Sequence, residues 1–541
     1  MKLEPEFLEL LYERGYTSEE DIEEFLSDRP RRTYDPFLLL NMEEGVDYIL
    51  SAIEEGQKIC IYGDYDADGI TSTVIMLEVL SNLTKNLTYY IPSRFDEGYG
   101  LNRDAIRKIA DSGVGLIVTV DCGSVSCEEV AYAQELGMNV VVTDHHTVTD
   151  SIADCPVINP AQPGCTYPFR YLAGCGVAFK VCQAIVSVTG LPKAVLTRTL
   201  DMVAIGTIGD IVSLTDENRT LVKYGLRAIN TGERKNLKML IEAVGLHPGR
   251  IKAENVSFGI VPHLNAAGRL VHARIAAEIF LSRDEKKVRE NIEKVCELNQ
   301  KRKAIQEGIF QDCIRIVEEQ YAEERLLLIE LAEANEGITG IAAGKIKERY
   351  YRPTIIVTET EEGICKGTGR SIDGINIYEL LKESEELFDR FGGHKAACGF
   401  TIRKENVPTL RQNLKTRMEE LDPQLFQRNV QPDLLPSPDR FTVELADQLA
   451  LLEPCGAGNP RPIVGAEGSV GEFSRIGANG KFLRFQTYLA PGRMLPCVCF
   501  RDADLVEEIL FKGSEHMVTG QLSINEWNGR RTLQLIVDHA E

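Results

Sequence analysis

The chain has 541 residues, too many for one ordinary core, so two to four domains are expected. Hydrophobic residues make up 43% of it, enough for several cores, while 82 acidic against 60 basic residues leave a net charge of -22. That balance excludes a generally basic nucleic-acid coat but leaves room for a local basic groove. The fourteen cysteines include no C-x-x-C pair. Cys60, Cys182, Cys497 and Cys499 lie in apolar runs, where a thiol behaves as a small hydrophobe, so reduced core cysteines are expected rather than a structural zinc site. The opening "MKLEPEFLELLYERGYTSEEDIEEF" is charged throughout and is not a signal peptide, and no apolar run is long enough to span a membrane; a cytoplasmic chain with no membrane partner is expected.

Residues 1–50 read as short amphipathic helices, with "TSEE" (Thr17 to Glu20) at capping-box spacing ahead of "DIEEFL". From residue 57 the pattern alternates. "KICIYG" is a strand and a helix follows from about 69; "NLTYYIP" is a strand and "NRDAIRKIADSG" a helix. "VGLIVTVDCG" is a strand, "SCEE" (Ser126 to Glu129) opens a capped helix, and "MNVVVTDHH" closes with a strand. Strands alternating with helices predict βαβ units and a parallel sheet. Residues 174–230 read as helical. The charged, helix-periodic stretch 273–321 predicts one or more long connecting helices, read as a solvated linker. A second α/β region runs from 325 to 402, with "TIIVTE" as a strand, and "QPDLLPSPDRF" is a Pro-rich boundary. The strands "KFLRFQTYL", "MLPCVCF", "HMVTGQLSI" and "RTLQLIVD" then predict a small β-barrel.

The stretch "YGDYDADGITS" sets Asp64, Asp66 and Asp68 at alternate positions, where like charges repel unless a cation lies between them. Further candidates are Asp121 in "VTVDCG", Asp144, His145 and His146 in "VVVTDHH", and Asp210 in "IGTIGDIVSL", each read as following a strand. Ligands in open parallel sheets bind at the carboxyl ends of strands, so these groups are expected to converge. A single Asp after a strand is commonly a turn or helix cap, and a lone His is commonly structural; the argument rests on four such groups together. Mixed carboxylate and imidazole donors suit Mn²⁺ or another transition ion better than Ca²⁺. So many donors fit two ions about 3.5–4 Å apart, which points to phosphate-ester hydrolysis.

In this order "GDYDADGITS", "VTVDCG", "VVVTDHH" and "GDIVSL" resemble the motifs of the DHH phosphoesterase superfamily. "PSRFDEGYGL", "VPHLNAAGRL", "GTGRSIDGINI", "FGGHKAACGF" and "EPCGAGNPRP" narrow the resemblance to the RecJ family, single-strand-specific 5′→3′ exonucleases, over nearly the whole chain from about residue 33. The resemblance implies a multidomain α/β architecture. An N-terminal helical segment (1–50) precedes a parallel-sheet DHH domain (51–230) and a long helical connector (231–324). An α/β DHHA1 domain (325–430) and a C-terminal β-barrel OB-fold (431–541) follow.

By the same resemblance Asp66, Asp68, Asp121, His145 and Asp210 are expected to hold two divalent ions, Mn²⁺ preferred and Mg²⁺ as the alternative, with Asp121 bridging. Asp64 is expected as a further ligand or a partner of one. His146 is placed to give a proton or hydrogen bond to the substrate phosphate, and Asp144 to orient an imidazole or to cap a turn. Arg94 and Arg269 are the candidates for gripping a 5′-phosphate, since a guanidinium binds it bidentately, with Asn265 assisting. Arg370, Ser371 and His394 are expected to contact incoming nucleotides, with Arg352 a weaker phosphate candidate. In the barrel, Phe482, Phe485 and Trp527 are stacking candidates, although aromatics in short strands more often fill a core.

Three positions depart from the family pattern: His263 where arginine is usual, Asn335 where histidine is usual, and Thr368 where serine is common. The first two bear on substrate affinity, not on the metal site. The expected partner is single-stranded DNA with a 5′ end, in DNA repair and recombination, with a single-strand-binding protein and a RecQ-type helicase as further partners of a monomer. Two alternatives stand: a phosphodiesterase of short oligonucleotides or cyclic dinucleotides, which the barrel and "EPCGAGNP" disfavour, and a non-catalytic replication scaffold, which retention of every ligand disfavours.

Overall fold

A computed structural model describes every residue except 1, 2, 96, 149, 150, 362, 429, 502 and 528. It divides into two compact units: Met1–Leu264 with Ala276–Ile292 and Val430–Glu541, and Asn265–Ile275 with Glu293–Asn429.

In the first unit, β1 (Lys58–Tyr62), β2 (Leu87–Tyr90), β3 (Val114–Val120), β4 (Asn139–Thr143) and β5 (Val157–Ile158) form one sheet in the order β2-β1-β3-β4-β5. All its pairings are parallel. The inner strands β1, β3 and β4 are short, largely apolar runs buried on both faces, as a helix-covered parallel sheet requires, while the edge strand β2 is half-buried. The helix Ala67–Leu80, entered straight from β1, is buried along most of its length because the helices Gly174–Thr189 and Leu200–Gly209 pack against it.

Also in the first unit, β11 (Val464–Ile476), β12 (Phe482–Ala490), β13 (Arg493–Cys499), β14 (His516–Trp527) and β15 (Arg530–Ala540) close a barrel in the order β11-β12-β13-β15-β14. The helices Pro5–Glu13 and Glu19–Leu26 do not form a free-standing segment. Their Phe7, Leu10, Leu11, Ile22 and Phe25 share one hydrophobic core with Leu483, Phe485, Cys497 and Val537 of the barrel.

The second unit carries β6 (Leu327–Leu331), β7 (Thr354–Glu361), β8 (Ile364–Arg370), β9 (Phe388–His394) and β10 (Ala397–Arg403), ordered β6-β7-β8-β10-β9. Only β6 and β7 run parallel; the remaining pairs are antiparallel.

Several local expectations are corrected. The helix after "TSEE" is capped by Ser18, one residue later, whose hydroxyl oxygen accepts from the Asp21 amide at 3.1 Å. Ser126 precedes the helix Cys127–Glu135 without a capping hydrogen bond. The charged stretch forms the helices Arg274–Leu281 and Glu285–Gln320, and it is not merely solvated: Ile309, Cys313 and Val317 are buried against Leu327, Ile329 and Ile356. Strand β11, "VGAEGSVGEFSRI", is rich in glycine and charge and carries no strand pattern in its sequence. Phe485 is a core residue of the barrel, 1% exposed, so it offers no stacking surface, whereas Trp527 is 74% exposed. All fourteen cysteines are free thiols, and no helix of the described residues is long and apolar enough to cross a membrane.

Candidate metal centre

The carboxyl ends of β1, β3 and β4 place their acidic groups together. After β1 the chain turns through Asp64 into Asp66, which caps the helix Ala67–Leu80: its Oδ1 accepts from the amides of Asp68 at 2.9 Å and Gly69 at 3.1 Å. Asp68 lies in the first turn of that helix and is 1% exposed. Its carboxylate accepts from the amides of Gly174 (2.7 Å) and Cys175 (2.9 Å), the first residues of the helix Gly174–Thr189. A helix N-terminus is a natural seat for a buried anion, and this one fixes Asp68 from a point distant in the chain.

Asp121 follows β3 with φ 63°, a left-handed conformation uncommon outside glycine and characteristic of functional sites. Its amide still donates to the Thr143 carbonyl at 3.0 Å, continuing the sheet by one residue. The position leaves no room opposite: a Cβ on Gly174 would fall 2.5 Å from Asp121 Oδ1.

After β4, Asp144 acts as a local hub. Its Oδ1 accepts from the amides of His145 (2.7 Å) and His146 (3.2 Å) and pairs with His146 Nδ1 at 2.8 Å, while Oδ2 accepts from the Ser124 amide at 3.0 Å. Both roles open in the sequence, turn cap and imidazole partner, are therefore filled at once. The imidazole it holds is His146, which leaves His145 to face the other carboxylates. His145 Nε2 lies 3.1 Å from Asp121 Oδ1, 3.5 Å from Asp210 Oδ2 and 3.8 Å from Asp68 Oδ2. Asp210 reaches this point by a different route from the one expected. It ends the helix Leu200–Gly209 and does not follow a strand.

The electrostatics are those of crowded anions. Burial, reinforced by Asp66, pushes the Asp64 carboxyl up to about 8, and burial with Asp68 does the same for Asp210. Burial and the Asp68 charge raise Asp121 well above the carboxylate range. Burial lowers His145. Burial opposes the charge of His146 too, but the hydrogen bond and charge of Asp144 win and lift it to about 9. Burial likewise works against the Asp144 charge, yet His146 and the Ser124 amide hold that carboxyl below its usual range.

Three buried atoms in this cluster, Asp64 Oδ1, Asp121 Oδ1 and His145 Nε2, have no hydrogen-bond partner. Buried polar atoms are normally satisfied, so donors left open and facing one another fit cations. Among the described residues three trios bring ligand atoms within 4.8 Å of one another, close enough for an ion: Asp64, Asp66 and Asp121; Asp68, His145 and Asp210; and Asp121, His145 and His146. Asp121 and His145 each belong to two of them. The donor set of carboxylate oxygens and imidazole nitrogen is the one that suits Mn²⁺.

Of the substrate-contact candidates, Arg94 lies in the first unit, its guanidinium 5.2 Å from the centre of the Tyr65 ring beside Asp64. The others belong to the second unit. Arg370 and His394 sit in register on either side of Ala397, at the ends of β8 and β9. Ser371 continues from Arg370, its amide donating to the Ala396 carbonyl at 3.0 Å and its hydroxyl to the Ile375 carbonyl at 2.8 Å. Asn265 and Arg269 lie on the helix Val261–Leu270, and Arg269 Nη1 donates to the Gly337 carbonyl at 2.7 Å. Asn335 caps the helix Glu336–Tyr350 by accepting from the Gly337 amide at 3.0 Å, which gives that departure from the family pattern a structural role. His263 pairs with the Gly259 carbonyl one helical turn back, at 2.5 Å. Arg352 Nη1 donates to the Ala322 carbonyl at 2.8 Å.

The donors from Gly174 and Cys175, and Tyr99, whose hydroxyl lies 3.1 Å from His146 Nδ1, escaped the sequence reading. "GYGL" gave the only hint of Tyr99, and no local pattern marks the Gly174 amide.

A parallel sheet whose strand ends gather aspartates and a histidine pair defines a phosphoesterase of the DHH class, and residues 58–207 match the DHH family, N-terminal domain. Residues 323–420 match the DHHA1 domain and residues 433–539 the RecJ OB domain. The sequence is 39% identical to the single-stranded-DNA-specific exonuclease RecJ of Bacillus subtilis (strain 168), an alignment covering 100% of this chain and 68% of that one. It is 32% identical to the single-stranded-DNA-specific exonuclease RecJ of Escherichia coli (strain K12), covering 93% of this chain and 90% of that one. The fold matches the crystal structure of RecJ in complex with Mn²⁺ from Thermus thermophilus with a TM-score of 0.84 at 30% identity, over 99% of this chain and 76% of that chain. A Mg²⁺ complex of RecJ from the same organism matches with a TM-score of 0.79. The chain belongs to the RecJ family.

Proposed function

We propose that the chain is a single-stranded-DNA-specific exonuclease that hydrolyses phosphodiesters from the 5′ end, releasing 5′-mononucleotides, with two divalent ions at the DHH cluster. The observation that carries this reading is the trio of buried, unpartnered atoms, Asp64 Oδ1, Asp121 Oδ1 and His145 Nε2. Asp64, Asp66 and Asp121 would hold one ion and Asp68, His145 and Asp210 the other, with Asp121 shared. Such ions, when bound, supply positive charge to phosphoryl oxygens and make water acidic enough to attack at neutral pH.

The side chains supply the rest. His146, steadied by the hydrogen bond to Asp144, would present an N–H to a phosphate oxygen and, when protonated, would protonate a leaving alkoxide. Arg94, close to Asp64, would take the terminal 5′-phosphate bidentately. Asn265, Arg269, Arg370, Ser371 and His394 would contact the following nucleotides, and the barrel would hold the trailing strand through backbone charge and exposed aromatics such as Trp527. The match to a RecJ OB domain supports a long single strand as substrate over a short oligonucleotide or cyclic dinucleotide.

On this reading the working parts span 51–230 (DHH), 231–324 (connector), 325–430 (DHHA1) and 431–541 (barrel). The enzyme would act in repair and recombination in the cytoplasm as a monomer, alongside a single-strand-binding protein and a RecQ-type helicase. Digestion of single strands labelled at either end, with and without a 5′-phosphate, tests the proposal. Mononucleotides should leave from the 5′ end in Mn²⁺, and Arg94→Lys should reduce the advantage of the 5′-phosphorylated strand by roughly 10–100-fold, the scale of one charge-assisted bidentate contact. Release from the 3′ end would overturn the polarity.

A further inference from the structure

The motif "EPCGAGNPRP" lies in the loop ahead of the barrel, far in sequence from the acidic cluster, and supplies none of the candidate ligands. In the fold this loop packs on the segment that leaves Asp210. That segment, residues 211–215, joins the helix Leu200–Gly209 to the helix Asp216–Thr231. It begins at Ile211, which has φ 62° and is 72% exposed, so it gains little from packing of its own. One hydrogen bond and two close approaches of glycine backbone from the loop hold it. The Leu214 amide donates to the Ala457 carbonyl at 2.8 Å. A Cβ on Gly456 would lie 2.7 Å from Leu214 Cδ1, and one on Gly458 would lie 2.0 Å from Ser213 Oγ. Both glycines are therefore seats for the segment.

The loop is itself fixed. Asn459, 2% exposed, donates to the carbonyls of Leu452 (2.8 Å) and Pro454 (2.9 Å) and accepts from Arg14 at 2.7 Å. Arg219, on the helix that follows the segment, is 3% exposed and donates to the carbonyls of Leu451, Leu452, Glu453 and Pro454, and to Phe25 of the N-terminal helices. One buried guanidinium thus ties the N-terminal helices, the loop and the helix after Asp210 into a single frame.

We infer that the loop 453–460 is the positioning element for Asp210, fixing where the chain leaves that carboxylate and hence the group formed by Asp68, His145 and Asp210. Its residues belong to none of the three ligand trios and act through Ser213 and Leu214. The inference rests on Asp210 being a metal ligand, and the experiment separates the two claims.

Mn²⁺ binding to the full-length chain is measured by calorimetry, alongside kcat and KM on a single strand, for Gly458→Ala, Gly458→Ala with Ser213→Gly, Arg14→Ala and Asp210→Asn. Gly458→Ala should weaken Mn²⁺ binding and lower kcat by roughly 10–100-fold, the scale of losing a support behind a metal ligand, with KM unchanged and the rate restored by excess Mn²⁺. Ser213→Gly, which removes the obstructing hydroxyl, should recover the part of the loss due to the clash, while the strain of alanine at φ 69° remains. Arg14→Ala loosens the loop without a clash and should shift Mn²⁺ affinity in the same direction by less, which keeps the test sound if Gly458→Ala does not fold. Wild-type Mn²⁺ affinity in both Gly458→Ala and Arg14→Ala, or a loss confined to KM, overturns the positioning role. Wild-type Mn²⁺ binding in Asp210→Asn overturns instead the ligand reading beneath it.

Discussion

His145 Nε2 stands 3.1 Å from Asp121 Oδ1, and neither buried atom makes a hydrogen bond. Two polar atoms so placed cost stability unless something bridges them. Burial together with the Asp68 charge already drives the Asp121 carboxyl toward its neutral form. Asp121→Asn should therefore raise the thermal midpoint of the metal-free chain while lowering nuclease activity by at least about 10²–10³-fold, the scale of losing a preorganised electrostatic group. Scanning calorimetry with and without Mn²⁺ checks the first half. A metal-free midpoint below that of wild type would contradict the crowding argument.

The pH dependence has a definite sign. Asp64 and Asp210 titrate near 8 in the fold but near 3.9 in an unfolded chain. Between those values the folded metal-free chain holds more protons, so its stability falls as pH rises from about 4 to 8. His146, lifted to about 9, adds a contribution that is complete below about pH 6.5 and lost as pH rises through 9. Asp144 runs the other way, its contribution being lost only in acid. Ions displace the extra protons, so Mn²⁺ should bind more tightly as pH rises from 6 to 8 and release protons at pH 7. Calorimetry at pH 7 in two buffers of different ionisation enthalpy reads the release directly; identical heats would refute it.

Gly174 serves Asp68 with its amide and Asp121 with its missing side chain. Gly174→Ala should displace Asp121, with Mn²⁺ affinity and activity falling roughly 10–100-fold, as for other supports behind metal ligands. A Mn²⁺ titration followed by activity at saturating metal distinguishes this from simple unfolding.

Arg219 donates to carbonyls of both the N-terminal helices and the loop 453–460 with its approach, Phe25 on one side and Leu451 and Glu453 on the other. Arg219→Ala removes this donor from buried carbonyls, at about 1–3 kcal/mol for each one left unsatisfied. The earliest urea transition should move to lower denaturant, read as a midpoint because a multidomain chain has no single unfolding free energy. Arg219→Lys should recover little, since an ammonium cannot span the fork of acceptors. An unmoved transition would remove Arg219 from its role as a tie.

The sheet was legible because "KICIY", "VGLIVTV" and "NVVVT" are compact apolar runs, each followed within two residues by an aspartate, and period and punctuation suffice to read such strands. The barrel strands from Phe482 onward were legible for the same reason, but "VGAEGSVGEFSRI" was not: its glycines and charges hide strand β11 behind poor local propensity. Asp210 was found by motif and misplaced by element, since an apolar run before an acid reads alike whether helix or strand. The grip of Gly174 and Cys175 on Asp68, and of Ala457 on Leu214, joins residues far apart in the chain, and no local pattern carries such information. Phe485 shows the converse: a stacking residue and a core residue look the same in sequence until burial separates them.

The most direct measurement is anomalous scattering from crystals soaked in Mn²⁺. Two peaks are predicted, one bound by Asp64, Asp66 and Asp121 and the other by Asp68, His145 and Asp210, with Asp121 reaching both. A cluster that takes up no manganese, or peaks held by other residues, would contradict the account.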